Sequence, residues 1–176
     1  RLAEFRTAVP EAEIGLTTMI DLVDLERDQI DLAVQWGYGD RKDVQSHLLM
    51  RDPKVICCRA DMAEKISSPS DLLRFNLLQP ARSKRLWPDI LGFLGVDIPE
   101  LDRSLTFDDA ATMRRAAHQG LGIGLISRLD AEEDIAVGKL VAPLGIDAIT
   151  GMAQECVPGF YVITTKARLR AKHVAA

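Results

Sequence analysis

Four polar or aromatic side chains in the first third of the chain stand where predicted strands end. Thr17 and Thr18 follow one alternating run of apolar residues, and Gln35 and Trp36 close a second one. In parallel sheets a small ligand sits outside the carboxyl ends of the strands, where loops and helix starts converge. Hydroxyls and backbone N–H groups at a helix start suit a carboxylate. We therefore expect Thr17 and Thr18 to bind an acid, to cap the next helix, or to do both.

Trp36 supports two interpretations. Its ring could form an apolar wall of a ligand cleft. Alternation instead places it on the same face as Leu32 and Val34, which predicts a position in the core. The neighbouring Gln35 offers a neutral group that can both donate and accept hydrogen bonds.

A second group of candidates lies beyond the middle of the chain. Phe107 ends a predicted strand, and Asp108 and Asp109 follow it before a helix. Neighbouring residues that enter a helix point in different directions, so the two aspartates do not form a catalytic pair that shares a proton. We expect one to cap the helix and the other to face solvent or a cleft, where it favours an ammonium or hydroxyl. Ser83 stands in the basic loop 82–85, which predicts a solvated surface loop with Ser83 as a candidate cleft residue.

No arrangement of residues predicts a catalytic, metal or nucleotide site. Ser127 lacks a GxSxG elbow and is predicted to cap a helix. The glycine run 120–124 follows a helix and enters a strand, which is the reverse of a dinucleotide loop. His47, His118 and His173 lack the spacing of metal ligands. We expect no catalytic residue, no metal and no cofactor, and we expect the helical Arg114 and Arg115 to face solvent.

Short strands alternate with short helices along the chain, a pattern typical of a mostly parallel sheet with helices on its faces. Residues 143–158 show no assignable pattern. The predicted strands cover 14–16, 31–36, 46–50, 54–58, 76–79, 104–107, 122–127, 139–142 and 159–165, and the predicted helices cover 2–6, 21–29, 86–94, 109–119, 127–138 and 168–176, with a further start at Ser68.

Composition limits the class of protein. The chain has 176 residues, of which 47% are hydrophobic and 27% charged, enough for a core in one domain or one small two-lobed unit. The net charge of -4 gives no general attraction to nucleic acid or anionic membrane. We expect no membrane association, because no apolar run approaches the roughly 18 residues of a span. Three cysteines without CxxC spacing predict a reducing compartment, so we expect a cytoplasmic protein.

One motif is specific enough to suggest a family. The run DQIDLAVQWGYG at 28–39 resembles the gvDLAiryGrG signature of LysR-type transcriptional regulators. Three further segments resemble that family in the same order, SPSDL at 68–72, FDDA at 107–110 and GLGIGLI at 120–126. The residues of these four segments are similar to those of the subgroup that contains glycine-cleavage activators.

The resemblance implies an effector-binding domain with an α/β fold of the type II periplasmic-binding-protein kind. Its two lobes would be joined by two crossover strands, with lobe one at 1–58 plus 164–176 and lobe two at 59–163. It also implies that the first strand and its loop, and the winged helix-turn-helix that contacts DNA, are absent from this chain, and that both ends are truncated. Many family members carry arginine where Gln35 stands, so the resemblance implies that a fixed cation for an acidic ligand is missing.

The implied function is sensing. A small metabolite, an organic acid or an amino-acid-like compound, would bind between the lobes and modulate DNA binding by the full-length protein. The implied partners are a second copy in a homodimer or tetramer, and DNA only through the absent N-terminal domain. A stand-alone solute-binding protein of a transporter is the alternative. An enzyme on the same scaffold is a third possibility, but it would need a nucleophile or base that the sequence does not offer.

Overall fold

The computed structural model of the chain describes residues 2–18, 22–97, 101 and 103–170. Residues group into two units by their contacts, one formed by Arg1–Met50 and Phe160–Ala176 and the other by Arg51–Gly159. The lobe limits that the resemblance implies stay a prediction.

Helices and strands alternate along most of the described chain. The α-helices are α1 (Leu2–Ala8), α2 (Ala60–Ala63), α3 (Leu86–Phe93), α4 (Ala110–His118) and α5 (Arg128–Ala136); the strands are β1 (Ala33–Gly37), β2 (Gln45–Arg51), β3 (Lys54–Cys57), β4 (Leu77–Pro80), β5 (Ser104–Phe107), β6 (Ile123–Ser127) and β7 (Gly159–Thr164); and short 3-10 helices cover Pro69–Arg74, Gln154–Cys156 and Arg168–Arg170.

The first unit contains a three-stranded sheet in the order β1-β7-β2. Among its described residues, Val23, Leu25, Tyr161 and Ile163 form a small buried core cluster. Gly39, in the turn after β1, has a φ of +74°, and a Cβ at this position would lie 2.3 Å from the Tyr161 ring. Both the backbone conformation and the close approach therefore require glycine in this part of the signature motif.

Two predicted elements of the first unit are wrong. Residues 14–16 are not a strand, and the described part of 21–29 is a turn rather than a helix. The Asp24 carboxylate accepts hydrogen bonds from the backbone N–H groups of Glu26 and Arg27 at 3.2 and 3.1 Å, which compete with helical bonds. Gln29 has a left-handed φ of +54°, which ends any helical course.

The second unit contains a four-stranded sheet in the order β3-β6-β4-β5. β3 is antiparallel to β6, whereas β4 is parallel to both β6 and β5. The predicted strand 139–142 is reduced to a single bridge between Cys58 and Val141. The unassigned stretch 143–158 consists of turns and one short 3-10 helix. Of the predicted helix 168–176 only Arg168–Arg170 is described, as a 3-10 turn.

Besides buried side chains such as Leu77, Leu86 and Leu125, the second unit has a core cluster between its sheet and helices α4 and α5. Its buried members are Val55, Cys57, Leu78, Met113, Ala116, Ala117, Ile126, Ala131 and Leu140. Trp87 of α3 is fully buried and donates its indole N–H to the Leu78 carbonyl at 2.9 Å. Burial raises the pKa of Cys57 to about 12 and of Cys58 to about 11. Both thiols therefore stay protonated at neutral pH, which disfavours redox chemistry.

Ser127 does not cap α5, contrary to prediction. It makes no side-chain cap, and its hydroxyl instead accepts a hydrogen bond from Lys54 Nζ at 3.1 Å. Lys54 is buried and also contacts the buried carboxylate of Asp52 at 2.5 Å. Burial lowers the pKa of Lys54, and the attraction of Asp52 opposes that effect. The hydrogen bond from Lys54 to Ser127 connects the start of β3 with the end of β6.

An ion pair between the partly exposed Arg114 and the buried Asp134 joins α4 to α5, and it shows that Arg114 does not simply face solvent as predicted. Arg114 donates from Nε and Nη2 to the two carboxylate oxygens of Asp134, at 2.6 and 2.9 Å. His118 Nε2 lies 2.7 Å from the same carboxylate, whose residue is only 1% exposed. The hydrogen bonds from Arg114, followed by that of His118, hold the pKa of Asp134 below its ordinary value of 3.8.

We predict that Asp134→Asn destabilises the chain by about 2 to 4 kcal/mol, because the substitution leaves Arg114 without its buried counter-charge. The folded carboxyl has a lowered pKa, so its contribution is complete above the unfolded pKa and is lost as the pH falls through the folded one. The difference between the two proteins should therefore be constant near neutrality and shrink below about pH 4. Urea unfolding at several pH values measures it.

The matched control for this prediction is Glu133→Gln, because Glu133 contacts the same guanidinium but has a side chain that is 71% exposed. The control should change stability by less than about 1 kcal/mol. Equal losses in the two variants would contradict the assigned role of Asp134.

Candidate ligand-binding site

Thr17 and Thr18 lie in the first unit, in an exposed stretch without regular structure. Residues 19–21 lie outside the described part of the chain, and no helix begins between 22 and 29. The predicted helix start, whose dipole would favour an acid, is therefore not found in the described residues. The two hydroxyl side chains are exposed and stay predicted ligand contacts.

Gln35 lies on β1 and has a cationic neighbour that the sequence did not predict. Arg41 donates from Nη1 to Gln35 Oε1 at 3.2 Å and to the Val23 carbonyl at 3.1 Å. The same guanidinium pairs with Asp43, and this hydrogen bond raises the pKa of Arg41 and lowers that of Asp43. Six residues separate Gln35 from Arg41, and the tight turn around Gly39 brings the two side chains together.

Trp36 is half-buried at the end of β1. The alternation that predicted a core position also predicted that Leu32 and Val34 would be buried, but these side chains are 44% and 55% exposed. Ala33, on the opposite face of the strand, packs against the core of the first unit instead. The face that carries Trp36 is thus the more exposed face of β1, which favours a surface or cleft position over a core position.

In the second unit, Asp109 is the N-cap of α4, as one of the two aspartates was expected to be. Its Oδ1 accepts the Thr112 backbone N–H at 2.8 Å. Hydrogen bonds from Thr112, first from its side chain and then from its backbone, lower the pKa of Asp109. Asp108 is exposed to solvent. Asp109 is exposed as well, so the difference between the two is that Asp108 does not cap α4.

Ser83 and Phe107 are more buried than their neighbours. Ser83 is buried in the turn after β4, where its N–H donates to the Pro80 carbonyl at 3.1 Å. Phe107 is the last residue of β5 and packs against the core cluster next to Leu78. The loop that carries Ser83 and the loop that carries Asp108 follow neighbouring parallel strands, and the Ala81 N–H donates to the Phe107 carbonyl at 2.8 Å.

Gln79 is a candidate that we did not select from the sequence. It is 8% exposed, and its buried Oε1 has no hydrogen-bond partner among the residues that the structure describes. It pairs in register with Thr106 of β5, one residue before Phe107. The available signal was its place as the polar last residue of the predicted strand 76–79.

A shallow depression of about 520 Å³ lies on the α4–α5 side of the second unit. It contains Arg114, His118 and Asp134, whose charged groups already contact one another. The described part of the chain contains no group of three or more histidine, cysteine or acidic residues placed to hold a metal ion. No helix among the described residues is both long and apolar enough to span a membrane.

We predict that Asp109→Ala lowers the melting temperature by about 2 to 4 °C, because α4 loses its N-cap. Asp108→Ala is the matched control, since Asp108 is the exposed neighbour and makes no cap. It should leave the melting temperature within about 1 °C. Differential scanning calorimetry measures both, and an equal loss in the control would contradict the assignment of the cap.

The chain is similar to known transcriptional regulators. It is 29% identical over 154 residues to the HTH-type transcriptional activator AmpR of Pseudomonas aeruginosa. The aligned region covers 86% of this chain and 51% of that protein. It is 27% identical over 146 residues to the glycine cleavage system transcriptional activator of Escherichia coli. That aligned region covers 81% of this chain and 48% of the relative. The chain thus spans about half the length of these relatives. Both relatives are named as transcriptional activators.

The fold has solved counterparts. The effector domain of the transcriptional regulator AmpR of Pseudomonas aeruginosa superposes with a TM-score of 0.77 at 24% identity, over 99% of this chain and 82% of that one. This likeness confirms the predicted α/β fold of the type II periplasmic-binding-protein kind. The family model for the LysR substrate binding domain matches residues 1–175. The chain therefore belongs to the LysR substrate-binding domain family.

Proposed function

We propose that this chain is the effector-sensing domain of a LysR-type transcriptional regulator. The observation that carries the proposal is the match of the LysR substrate binding domain to residues 1–175. The relatives are named as helix-turn-helix regulators, and the chain spans about half of their length. A stand-alone solute-binding protein is not favoured, because these names describe regulators of transcription.

In this proposal a small molecule binds between a lobe formed by 1–58 plus 164–176 and a lobe formed by 59–163. Binding alters the balance between arrangements of the lobes, and only a ligand with different affinities for those arrangements can transmit a signal. The longer protein would bind DNA through its helix-turn-helix domain, and it would act in the cytoplasm as a homodimer or tetramer.

We propose an organic acid or an amino-acid-like metabolite as the effector. Arg41 holds the amide oxygen of Gln35, so the amide NH₂ of Gln35 remains the group that can donate to a ligand carboxylate. The nearby guanidinium, which also pairs with Asp43, is a cation that the family pattern at position 35 did not predict. Thr17 and Thr18 add exposed hydroxyl groups.

The second lobe would supply groups for the other end of the effector. Asp108 offers an exposed carboxylate next to the start of α4, which suits an ammonium or hydroxyl. Ser83 and Phe107 stand at the same edge of the sheet. One carboxylate oxygen of Asp109 already accepts the Thr112 N–H as the cap of α4. An effector that carries both a carboxylate and a hydrogen-bond donor has chemistry that suits each of the two sets.

We predict that small hydroxy acids, dicarboxylic acids and amino acids include at least one compound that stabilises the chain. A ligand that binds only the folded protein adds about 2.7 kcal/mol at a hundredfold excess over its Kd, which raises the melting temperature by several degrees. Thr18→Ala and Trp36→Ala should each reduce this shift. A thermal-shift screen measures all three proteins.

The control for this screen is Thr7→Ala, which removes an exposed threonine hydroxyl from α1 whose hydrogen bond goes to Ala3 within the helix. It should leave the ligand shift unchanged. If compounds bind but neither Thr18→Ala nor Trp36→Ala weakens them, the proposed site is wrong. If no compound shifts the wild type, the proposed class of effector is wrong.

A further inference from the structure

The buried amide oxygen of Gln79 is an exception to a general rule of folded proteins. Buried polar atoms nearly always have hydrogen-bond partners, because an unpaired acceptor loses its contacts with water and gains nothing. Gln79 is 8% exposed, and its Oε1 has no partner in the described parts of the chain. In the same unit the buried Lys54 and Asp134 both have charged partners.

Gln79 lies near the carboxyl end of a parallel strand, which indicates that its unpaired oxygen contacts a ligand. It is the third of four residues in β4 and stands in register with Thr106 of β5. β4 and β5 are parallel, so their carboxyl ends meet at one edge of the sheet, where α/β proteins bind ligands. The loop with Ser83 leaves β4 at this edge, and the loop with Asp108 leaves β5 there.

The sheet also determines which face carries Gln79. Leu78 belongs to the core cluster under α4 and α5, and Phe107 packs against the same cluster. Side chains alternate between faces along a strand, and residues in register share a face. Gln79 and the exposed Thr106 therefore lie together on the face opposite that core, as a pair of polar groups next to the strand ends.

We propose that Gln79 is a specificity-determining residue of the effector site, whose amide oxygen accepts a hydrogen bond from a hydroxyl or ammonium group of the effector. This inference rests on the proposed function and narrows it. The oxygen of an amide accepts and does not donate. The favoured effectors are then hydroxy acids and amino acids, and the corresponding keto acids, which lack the donor, are disfavoured.

The first test needs no ligand. Gln79→Met keeps the length of the side chain and removes its polar atoms, so it removes the cost of an unpaired buried acceptor. We expect the melting temperature of the ligand-free chain to rise by at least about 1 °C. Gln119→Met, at an exposed glutamine, is the control and should have no effect. A fall in the melting temperature of Gln79→Met would mean that the oxygen is paired in the folded protein, and it would overturn the proposal.

The second test uses matched probes. L-malate with oxaloacetate, L-lactate with pyruvate and L-glutamate with 2-oxoglutarate each differ in one donor group. We expect calorimetric titration of the wild type to show about tenfold tighter binding of the member with the donor, because one hydrogen bond to the buried oxygen is lost with the keto acid. Gln79→Met should remove that preference, and Gln79→Glu, which keeps an acceptor, should retain it.

The outcomes separate this proposal from the function on which it rests. Probes that bind equally to the wild type and Gln79→Met, but lose affinity with Trp36→Ala, would leave the sensing function standing and overturn the role of Gln79. A preference for the keto acids would overturn it too, since the buried atom would then be a donor. If no probe binds the wild type, the organic-acid class fails, and the melting temperature of Gln79→Met alone decides whether the oxygen is an unpaired acceptor.

Discussion

The parallel pairing of β4 with β5 and β6 is the constraint on which the candidate site in the second unit depends. It brings the ends of β4 and β5 to one edge of the sheet, and it sets Gln79 beside Thr106 and Pro80 beside Phe107. Helix α4 can begin at that edge because Asp109 caps it there. The ion pair between Arg114 and Asp134 then fixes α4 against α5, away from the strand ends.

The buried polar groups described in the second unit include ion-paired charges that stabilise the fold and the amide oxygen of Gln79, which has no hydrogen-bond partner there. Opposite charges are in contact in two ion pairs, Lys54 with Asp52 and Arg114 with Asp134, and this attraction offsets the cost of removing the charges from water. The oxygen of Gln79 has no such partner among the described residues. A buried polar group without a partner lowers the stability of the folded protein. Such a group near the end of a strand therefore indicates a ligand contact, because binding would compensate for the lost stability.

Sequence patterns predicted the second unit better than the first. The strand 104–107 and the helix after Asp109 follow from clear alternation, a cap and a terminal glycine, all of which are local signals. The strand at 14–16 and the helix at 21–29 were wrong, because short apolar runs do not distinguish these elements and the Asp24 carboxylate bonds to its own backbone. The contacts of Arg41 with Gln35 and of Arg114 with Asp134 depend on how the chain folds back on itself. The periodicity of hydrophobic residues in the sequence gives no information about such contacts.

The proposed function requires that a small organic acid or amino acid binds this chain, and the proposed role of Gln79 places its donor group at the ends of β4 and β5. The most direct measurement is a titration of ¹⁵N-labelled protein with the most stabilising acid, followed by two-dimensional NMR. We expect the side-chain amide signals of Gln79 to shift together with the backbone signal of Asp108, along one binding curve. Shifts confined to residues of the α4–α5 depression, such as Arg115 and Lys139, would contradict the proposal.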